Sequence, residues 1–247
     1  MKRFRQIAVP VTGWLLAVAG GLMAQDEAVN PLVIRPLAFT PNPLFKEVFV
    51  HDPAAESPAV ATGIKSYLNH QSTKVTPSGD RLVFTTSADR SSIGNPEQRI
   101  AEVVVPAGTK SAILLFLPDP GGAKSRWRVL AVADSREAFP AGSFRVFNLS
   151  PLAVRIDLEG KPFGFKPGQG GLIENPPMGP TEHAAMRTFA MEGKEWRPVA
   201  SGMWPDPGRA RVLQILYRDP ATGRIQLKGF DDVPPRAEPA TPPAAGP

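Results

Sequence analysis

The chain has 247 residues, with 28 Lys and Arg, 23 Asp and Glu, 29 Pro and no Cys. Without cysteine it forms no disulfide, thiolate metal site or cysteine nucleophile. The formal charge of +5 falls to +2 when residues 1–24 are set aside, since they carry three basic and no acidic residues. A charge this close to zero gives no indication of nucleic acid or an anionic lipid surface as a partner.

Residues 1–24 have the three-part pattern of a secretory signal peptide. Lys2, Arg3 and Arg5 precede an apolar run from Ile7 to Ala24, which ends in small residues at a plausible cleavage point. The run contains Pro and Gly and is weak as a permanent span, which needs about 20 strongly apolar residues; an uncleaved anchor is the alternative. Because no disulfides are possible, we predict export to the periplasm, cell envelope or exterior of a Gram-negative bacterium, with no stable membrane span after cleavage.

Short β-type runs separated by Pro and Gly fill the remainder of the chain. The uninterrupted apolar run Ile113 to Leu117 predicts a central strand that is covered on both faces. Strict alternation from Val154 to Glu159 predicts a half-exposed antiparallel strand. The other predicted strands are Leu32 to Leu37, Lys46 to Val50, Arg81 to Thr86, Arg99 to Val105, Arg126 to Ala133, Ser143 to Leu149, Phe163 to Phe165, Arg187 to Met191, Ala210 to Tyr217 and Arg224 to Gly229.

Turns and ambiguous segments complete the secondary-structure prediction. Gly160-Lys161-Pro162 is predicted to be a turn, and Pro167-Gly168 to end the following strand. Thr181 to Met191 fits a capped helix or an alternating strand, of which we favour the strand. No segment has a helical apolar stripe of useful length.

These elements predict an all-β protein made of antiparallel immunoglobulin-like β-sandwiches. The small and polar stretch Ser135 to Gly142 divides the chain into two packed lobes, 25–138 and 139–232. No internal sequence repeat supports this division, and one continuous sandwich is the alternative. The Pro- and Ala-rich residues 233–247 lack large apolar side chains beyond Val233 and are predicted to be a disordered tail.

The sequence contains no recognisable catalytic or metal-binding motif. The sequence from Pro118 to Ser125 lacks the glycines and the following helix of a phosphate-binding loop, so we predict a hairpin loop. His51, His70 and His183 are scattered, and we expect surface loop positions for them. Asp157 and Glu159 share one predicted strand face, as solvated charges do on any exposed face. We therefore predict no catalytic residue, no metal and no cofactor.

Two tryptophans are the candidate ligand surface. Trp196 and Trp204 flank a short segment and could together present a platform for a sugar ring or a peptide. Packing in the core or between the lobes is the alternative for both side chains.

The stretch from Phe139 to Ser150 resembles uncharacterised exported β-sandwich proteins of Gram-negative bacteria. The resemblance continues through Ala153 to Lys161 and the Lys166-Pro167-Gly168 turn, and covers about 30 residues. It implies an immunoglobulin-like topology and no known activity. In physical terms, Asn148 and Ser150 are expected to bond nearby backbone groups and start a turn.

The sequence predicts a non-enzymatic exported protein that acts as a binding or structural module of the cell envelope. Its partner would be an envelope protein, bound through an exposed edge strand, or a carbohydrate, bound through aromatic side chains. An accessory subunit with one obligate partner is a variant of this prediction. The alternative is a hydrolase of envelope or extracellular polymer that uses loop carboxylates such as Asp52, Glu56, Asp119 and Asp134.

Overall fold

The computed structural model describes residues 31–118 and 127–233, and these are almost entirely β-structure. Two short 3₁₀ turns, Pro43–Phe45 and Arg90–Ile93, are the helical elements of this part of the chain. The strands are β1 (Leu32–Ala38), β2 (Val48–His51), β3 (Val60–Thr62), β4 (Thr73–Val75), β5 (Arg81–Thr85), β6 (Arg99–Val104), β7 (Ser111–Pro118), β8 (Trp127–Ala133), β9 (Ser143–Asn148), β10 (Val154–Leu158), β11 (Lys161–Phe165), β12 (Gly170–Ile173), β13 (His183–Glu192), β14 (Glu195–Pro205), β15 (Arg211–Arg218) and β16 (Ile225–Asp232).

The strands form four sheets of four strands, two in each half of the chain. In the first lobe the outer sheet has the order β3-β2-β5-β6 and the inner sheet the order β4-β1-β7-β8. In the second lobe the outer sheet is β11-β10-β13-β14 and the inner sheet β12-β9-β15-β16. The pairing is antiparallel except between β1 and β7 and between β9 and β15. The chain passes from the first pair of sheets to the second between Ala133 and Ser143.

Three layers of apolar side chains hold the four sheets in one stack. Within each lobe, the inner and outer sheets enclose a core, centred on Phe84 and Phe116 in the first and on Phe144 and Ile156 in the second. A third cluster joins the two inner sheets and includes side chains from both lobes. The inner sheets are thus buried on both faces, which explains the unbroken apolar sequence of β7 and confirms its predicted central position.

The two lobes repeat one topology. Adding eight to each strand number of the first lobe gives the strand order of the second lobe in both sheets. The register repeats as well. The parallel pairing begins with Val33 opposite Ser111 in the first lobe and with Ser143 opposite Arg211 in the second, and each pairing continues for six residue pairs. Equivalent hydrogen bonds follow these strands, from Phe39 N to Phe116 O at 2.9 Å and from Leu149 N to Leu216 O at 2.8 Å. The structure therefore contains an internal repeat that the sequence does not reveal.

A network of four charged side chains connects the lobes. Arg35 on β1 donates to Asp134 at 2.6 and 2.8 Å and to Asp232 at 2.8 and 2.9 Å. Arg211 at the start of β15 donates to the same two carboxylates, and its guanidinium lies 4.8 Å from the ring centroid of Phe139. All four side chains are at most 16% exposed. Because each aspartate accepts from arginines of both lobes, the network fixes how the inner sheets face each other.

Several predicted boundaries differ from the structure for identifiable reasons. Lys161 and Pro162 lie in β11 rather than in a turn, because the β10–β11 hairpin turns at Glu159 and Gly160, both with positive φ. Glu159 therefore leaves the strand and accepts a hydrogen bond from Ala185 N, so it does not share the face of Asp157. The short strands β3, β4 and β12 and the long edge strand β14 were not predicted.

Proline occurs in strands only where its missing N–H is tolerated. Pro162 lies in edge strand β11, and Pro198 and Pro205 lie in edge strand β14. Pro36 lies in β1 beyond the last residue that pairs with β4. The proline-rich composition is thus compatible with long strands at the edges of sheets.

The predicted turn after β9 is confirmed. The side-chain amide of Asn148, fully buried, donates to Leu152 O at 2.8 Å and to Phe165 O at 3.0 Å. Its oxygen accepts from the backbone N–H and the hydroxyl of Ser150. One side chain therefore holds the β9–β10 connection against β11.

The predicted signal peptide, 1–24, and residues 234–247 of the predicted tail lie outside the described residues, as does most of the predicted loop from Pro118 to Ser125. Val233, placed in the tail, donates its N–H to Asn69 Oδ1 at 3.0 Å. Within residues 31–118 and 127–233, no helix has the length and hydropathy needed to cross a membrane.

Candidate ligand-binding surface

Trp196 and Trp204 both lie on β14 but on opposite faces of the second lobe's outer sheet. Trp204 pairs with Ala184, is 7% exposed, and packs in the core with its ring centroid 4.5 Å from that of Phe144 and the two rings tilted by 41°. Trp196 pairs with Met191 on the solvent side and is 37% exposed. The two side chains form no joint platform, and Trp196 alone is available at the surface.

A β-bulge separates the two tryptophans. Their spacing of eight residues would place both on the same face of a regular strand. The register of β13 and β14 shifts between Thr188 and Phe189, where Ala200 pairs with Thr188 and Pro198 pairs with Phe189. Val199 is the extra residue, and it packs against the core of the lobe. The bulge turns Trp196 to the opposite face, as bulges do when they redirect a side chain.

The solvent side of this sheet around Trp196, which we call the Trp196 face, is formed by Arg155, Asp157, Arg187, Phe189, Trp196 and Met203. The guanidinium carbon of Arg155 lies 4.6 Å from the ring centroid of Phe189 and 5.2 Å from that of Trp196. Arg155 Nε lies 3.0 Å from Asp157 Oδ1, at an angle that makes an ion pair rather than an aligned hydrogen bond. Arg155, on strand β10, thus contacts both aromatic rings and holds them in place.

A shallow depression opens beside these rings. It is lined by Arg187, Phe189, Pro198, Val199, Ala200 and Ser201. The depression lies at the bulge, since the extra residue Val199 and its neighbours Pro198 and Ala200 are among the lining residues. Met203, 56% exposed, continues the apolar surface along β14. Aromatic, apolar and cationic groups therefore meet on one accessible sheet face.

The corresponding face of the first lobe is covered. The connection between β5 and β6 folds over the outer sheet, where Ser92 Oγ donates to Thr85 Oγ1 at 3.0 Å. His51 joins this cluster, with its Nε2 atom 2.8 Å from Thr85 Oγ1. In the second lobe the equivalent strands β13 and β14 are joined by a turn of two residues, Gly193 and Lys194, which covers nothing.

The expectation that all three histidines occupy surface loops is wrong for His183, which is exposed but lies on a strand, and more completely for His51. It is 2% exposed and lies on β2, where the hydroxyls of Thr85 and Ser92 surround it. His183 begins β13 and is exposed, and His70 lies in a loop with a pKa lowered mainly by desolvation. The described residues contain no group of three side chains that could hold a metal ion.

Two of the carboxylates considered for a hydrolase, Asp52 and Asp134, are engaged in structural contacts. Asp52 caps a loop of the first lobe and accepts from Ala54 N, Ser78 N and Ser78 Oγ at 2.6 to 2.8 Å. Burial acts to raise the pKa of Asp52, but these hydrogen bonds lower it overall, so the group is held ionised. Asp134 belongs to the network between the lobes, and Glu56 is exposed in a loop. Asp119 lies outside the described residues.

The sequence alone does not mark Arg155, Arg187 or Phe189 as site residues. The alternating pattern of β10 does place Arg155 on the solvent face, but only the pairing of three strands brings it to the aromatic rings. No protein-family model matches the chain, and no curated protein is significantly similar to it.

Proposed function

We propose that this is an exported, non-enzymatic binding module of the cell envelope that binds carbohydrate through the Trp196 face. Export rests on the signal-peptide pattern of residues 1–24. The observation that supports binding is an exposed tryptophan whose ring is fixed on a rigid sheet by the Arg155 guanidinium. A ring held in place loses little conformational entropy when a ligand stacks on it.

Carbohydrate suits this surface better than a protein strand does. A partner strand would pair with the free edge of β14, but this edge carries Pro198, Pro205 and a bulge. These are the features by which proteins prevent pairing at edge strands. A sugar ring instead needs an aromatic face for its C–H groups and nearby polar groups for its hydroxyls. Trp196 and Phe189 provide the aromatic faces, while Asp157, Arg187 and Ser201 provide the polar groups.

We also propose that each lobe is an immunoglobulin-like sandwich with two added strands. The order β3-β2-β5-β6, with hairpins β2–β3 and β5–β6, corresponds to the C′-C-F-G sheet of variable-type domains. The antiparallel pair β1–β4 corresponds to strands B and E, and β7 and β8 extend that sheet. This connectivity supports the proposal in both lobes, since they repeat it.

Replacing Trp196 by alanine tests the binding proposal. We expect the mature protein to be retarded in native gels that contain a soluble polysaccharide, or to sediment with peptidoglycan sacculi. The W196A variant should bind at least tenfold more weakly with an unchanged urea midpoint, because the ring is partly exposed and contributes little to the core. Tyr67→Ala removes an exposed aromatic ring from the first lobe and should bind as the parent does.

Two results would contradict the proposal. One is that the parent binds none of a panel of neutral and acidic polysaccharides or sacculi. The other is that W196A binds as tightly as the parent does.

A further inference from the structure

Among the described residues, Arg187 is the charged group of the Trp196 face that has no ion-pair partner. It lies in the middle of β13, with its side chain on the solvent side, and forms no hydrogen bond or ion pair with the described residues. Its cross-strand neighbour Asp157 pairs with Arg155 instead. Two guanidinium groups and one carboxylate therefore leave this face with one excess positive charge.

The unpaired guanidinium borders the depression at the bulge. Phe189 lies two residues further along β13, a distance of about 7 Å along an antiparallel strand, and both residues line the depression. Pro198 lies across from Phe189, and Ser201 lies across from Arg187. An apolar floor and a cationic end are thus separated by about the length of one sugar ring with its linkage.

Resting on the proposed function, we infer that the ligand is an acidic polysaccharide whose sugar rings carry carboxylates. A ring stacks on the aromatic floor, and a carboxylate of the same or the next ring accepts two N–H bonds from Arg187. Guanidinium matches the planar geometry of carboxylate and binds it through parallel hydrogen bonds. Because the near-neutral mature chain offers no broad basic field, the selection depends on this single group.

The test compares two polymers that differ only in charge. Polygalacturonate carries a carboxylate on each ring, and its fully methyl-esterified form carries none. We expect the parent to bind polygalacturonate at least tenfold more tightly than the ester, and this preference to decline between about 0.05 and 0.5 M salt. Arg187→Gln should remove the preference by weakening polygalacturonate binding about tenfold, the usual loss for one charge-assisted contact. Its binding to the ester should weaken less, so that the variant binds the two polymers about equally.

Arg128→Gln is the matched control, because Arg128 is an exposed arginine on strand β8 of the other lobe. It removes the same charge from the molecule and should retain the parent's preference. Trp196→Ala should weaken binding to both polymers.

The outcomes separate the two proposals. Equal binding of both polymers by the parent and by R187Q, with loss in W196A, would overturn the acidic ligand and retain carbohydrate binding. Binding of neither polymer would overturn the acidic ligand, and if the wider polysaccharide panel were also negative it would remove carbohydrate binding as well. If poly-glutamate bound as tightly as polygalacturonate, with dependence on Arg187 but not on Trp196, the ligand would be an acidic peptide and the inference would be wrong.

Discussion

Replacing Asp232 by asparagine tests whether the charged network between the lobes holds the four sheets together. Asp232 accepts hydrogen bonds from Arg35 at 2.8 and 2.9 Å and from Arg211 Nε at 2.9 Å, and its side chain is 11% exposed. Asparagine has nearly the same shape but only one accepting oxygen, and its NH₂ group would face guanidinium N–H groups. Two arginines would then share the single carboxylate of Asp134.

The expected cost follows from the burial of these groups. Removing one partner of a buried ion pair destabilises a protein by about 3 to 5 kcal/mol, a large part of a typical total of about 5 to 15 kcal/mol. With a urea dependence of about 2 kcal/mol per M, a loss of 3 kcal/mol lowers the midpoint by roughly 1.5 M. Urea unfolding followed by tryptophan fluorescence measures this shift.

Glu192→Gln is the matched control for the same carboxylate-to-amide change. Glu192 lies 3.5 Å from Arg197 on the exposed β13–β14 hairpin, where both side chains are more than half exposed. An exposed pair contributes roughly 0 to 1 kcal/mol, so the midpoint should hardly move. Equal midpoints for D232N and the parent would refute the argument that this network stabilises the lobe interface.

The pH dependence provides a second readout of the same change. Burial acts to raise the pKa of Asp232, but hydrogen bonds and attraction from Arg35 and Arg211 outweigh it and lower the pKa below its ordinary value of 3.8. A carboxyl with a lowered folded pKa contributes stability above 3.8 and loses it as the pH falls through the folded pKa. The difference in midpoint between parent and D232N should therefore be constant from pH 7 to 5 and narrow below pH 4.

Two further substitutions test the core and the β9–β10 connection. Ile156→Asp places a charge at a fully buried position and should cost more than about 4 kcal/mol; an unchanged urea midpoint would refute the assignment of β10. Asn148→Ala leaves Leu152 O, Phe165 O and Ser150 N without their partner and should cost about 2 to 4 kcal/mol. Asn69→Ala removes one exposed bond, to Val233 N, and should cost less than about 1 kcal/mol, so similar losses in the two alanine variants would contradict the role given to Asn148.

The strands that can be predicted from the sequence are those whose pattern of apolar residues reflects their burial. β7 is apolar without a break because both faces are covered, and β10 alternates because one face is wet. The unpredicted strands β3 and β4 have three residues each, too few to show any period. β14 is long, but most of its side chains are exposed and it contains two prolines, so neither its burial nor its composition marks it as a strand.

The site could be predicted only in part, because the extra residue Val199 changes which face Trp196 lies on. Trp196 was identified together with Trp204 because the two flank a short segment. In a regular strand their spacing of eight residues would place both side chains on the same face. Val199 reverses this relation, because it is inserted into β14 without a partner on β13. Nothing local in the sequence distinguishes a bulge at Val199 from a regular strand. The location of Arg155 beneath the rings depends in turn on the register of β10 and β13, which a single sequence does not provide.

The two lobes share one topology, and a difference in their connections explains why the candidate site is in the second lobe. Each lobe contains a sheet that buries one face against the core. The two lobes achieve this with the same strand order and register but with different residues, such as Ala112 and Val212 at equivalent places on β7 and β15. Sequence similarity is therefore not required to preserve the frame. The connections are free to differ: residues 86–98 cover the outer sheet of the first lobe around His51, whereas two residues join β13 to β14. The same sheet is an enclosed, polar-capped layer in one lobe and an open aromatic surface in the other, so the difference between the lobes lies in what covers the sheet.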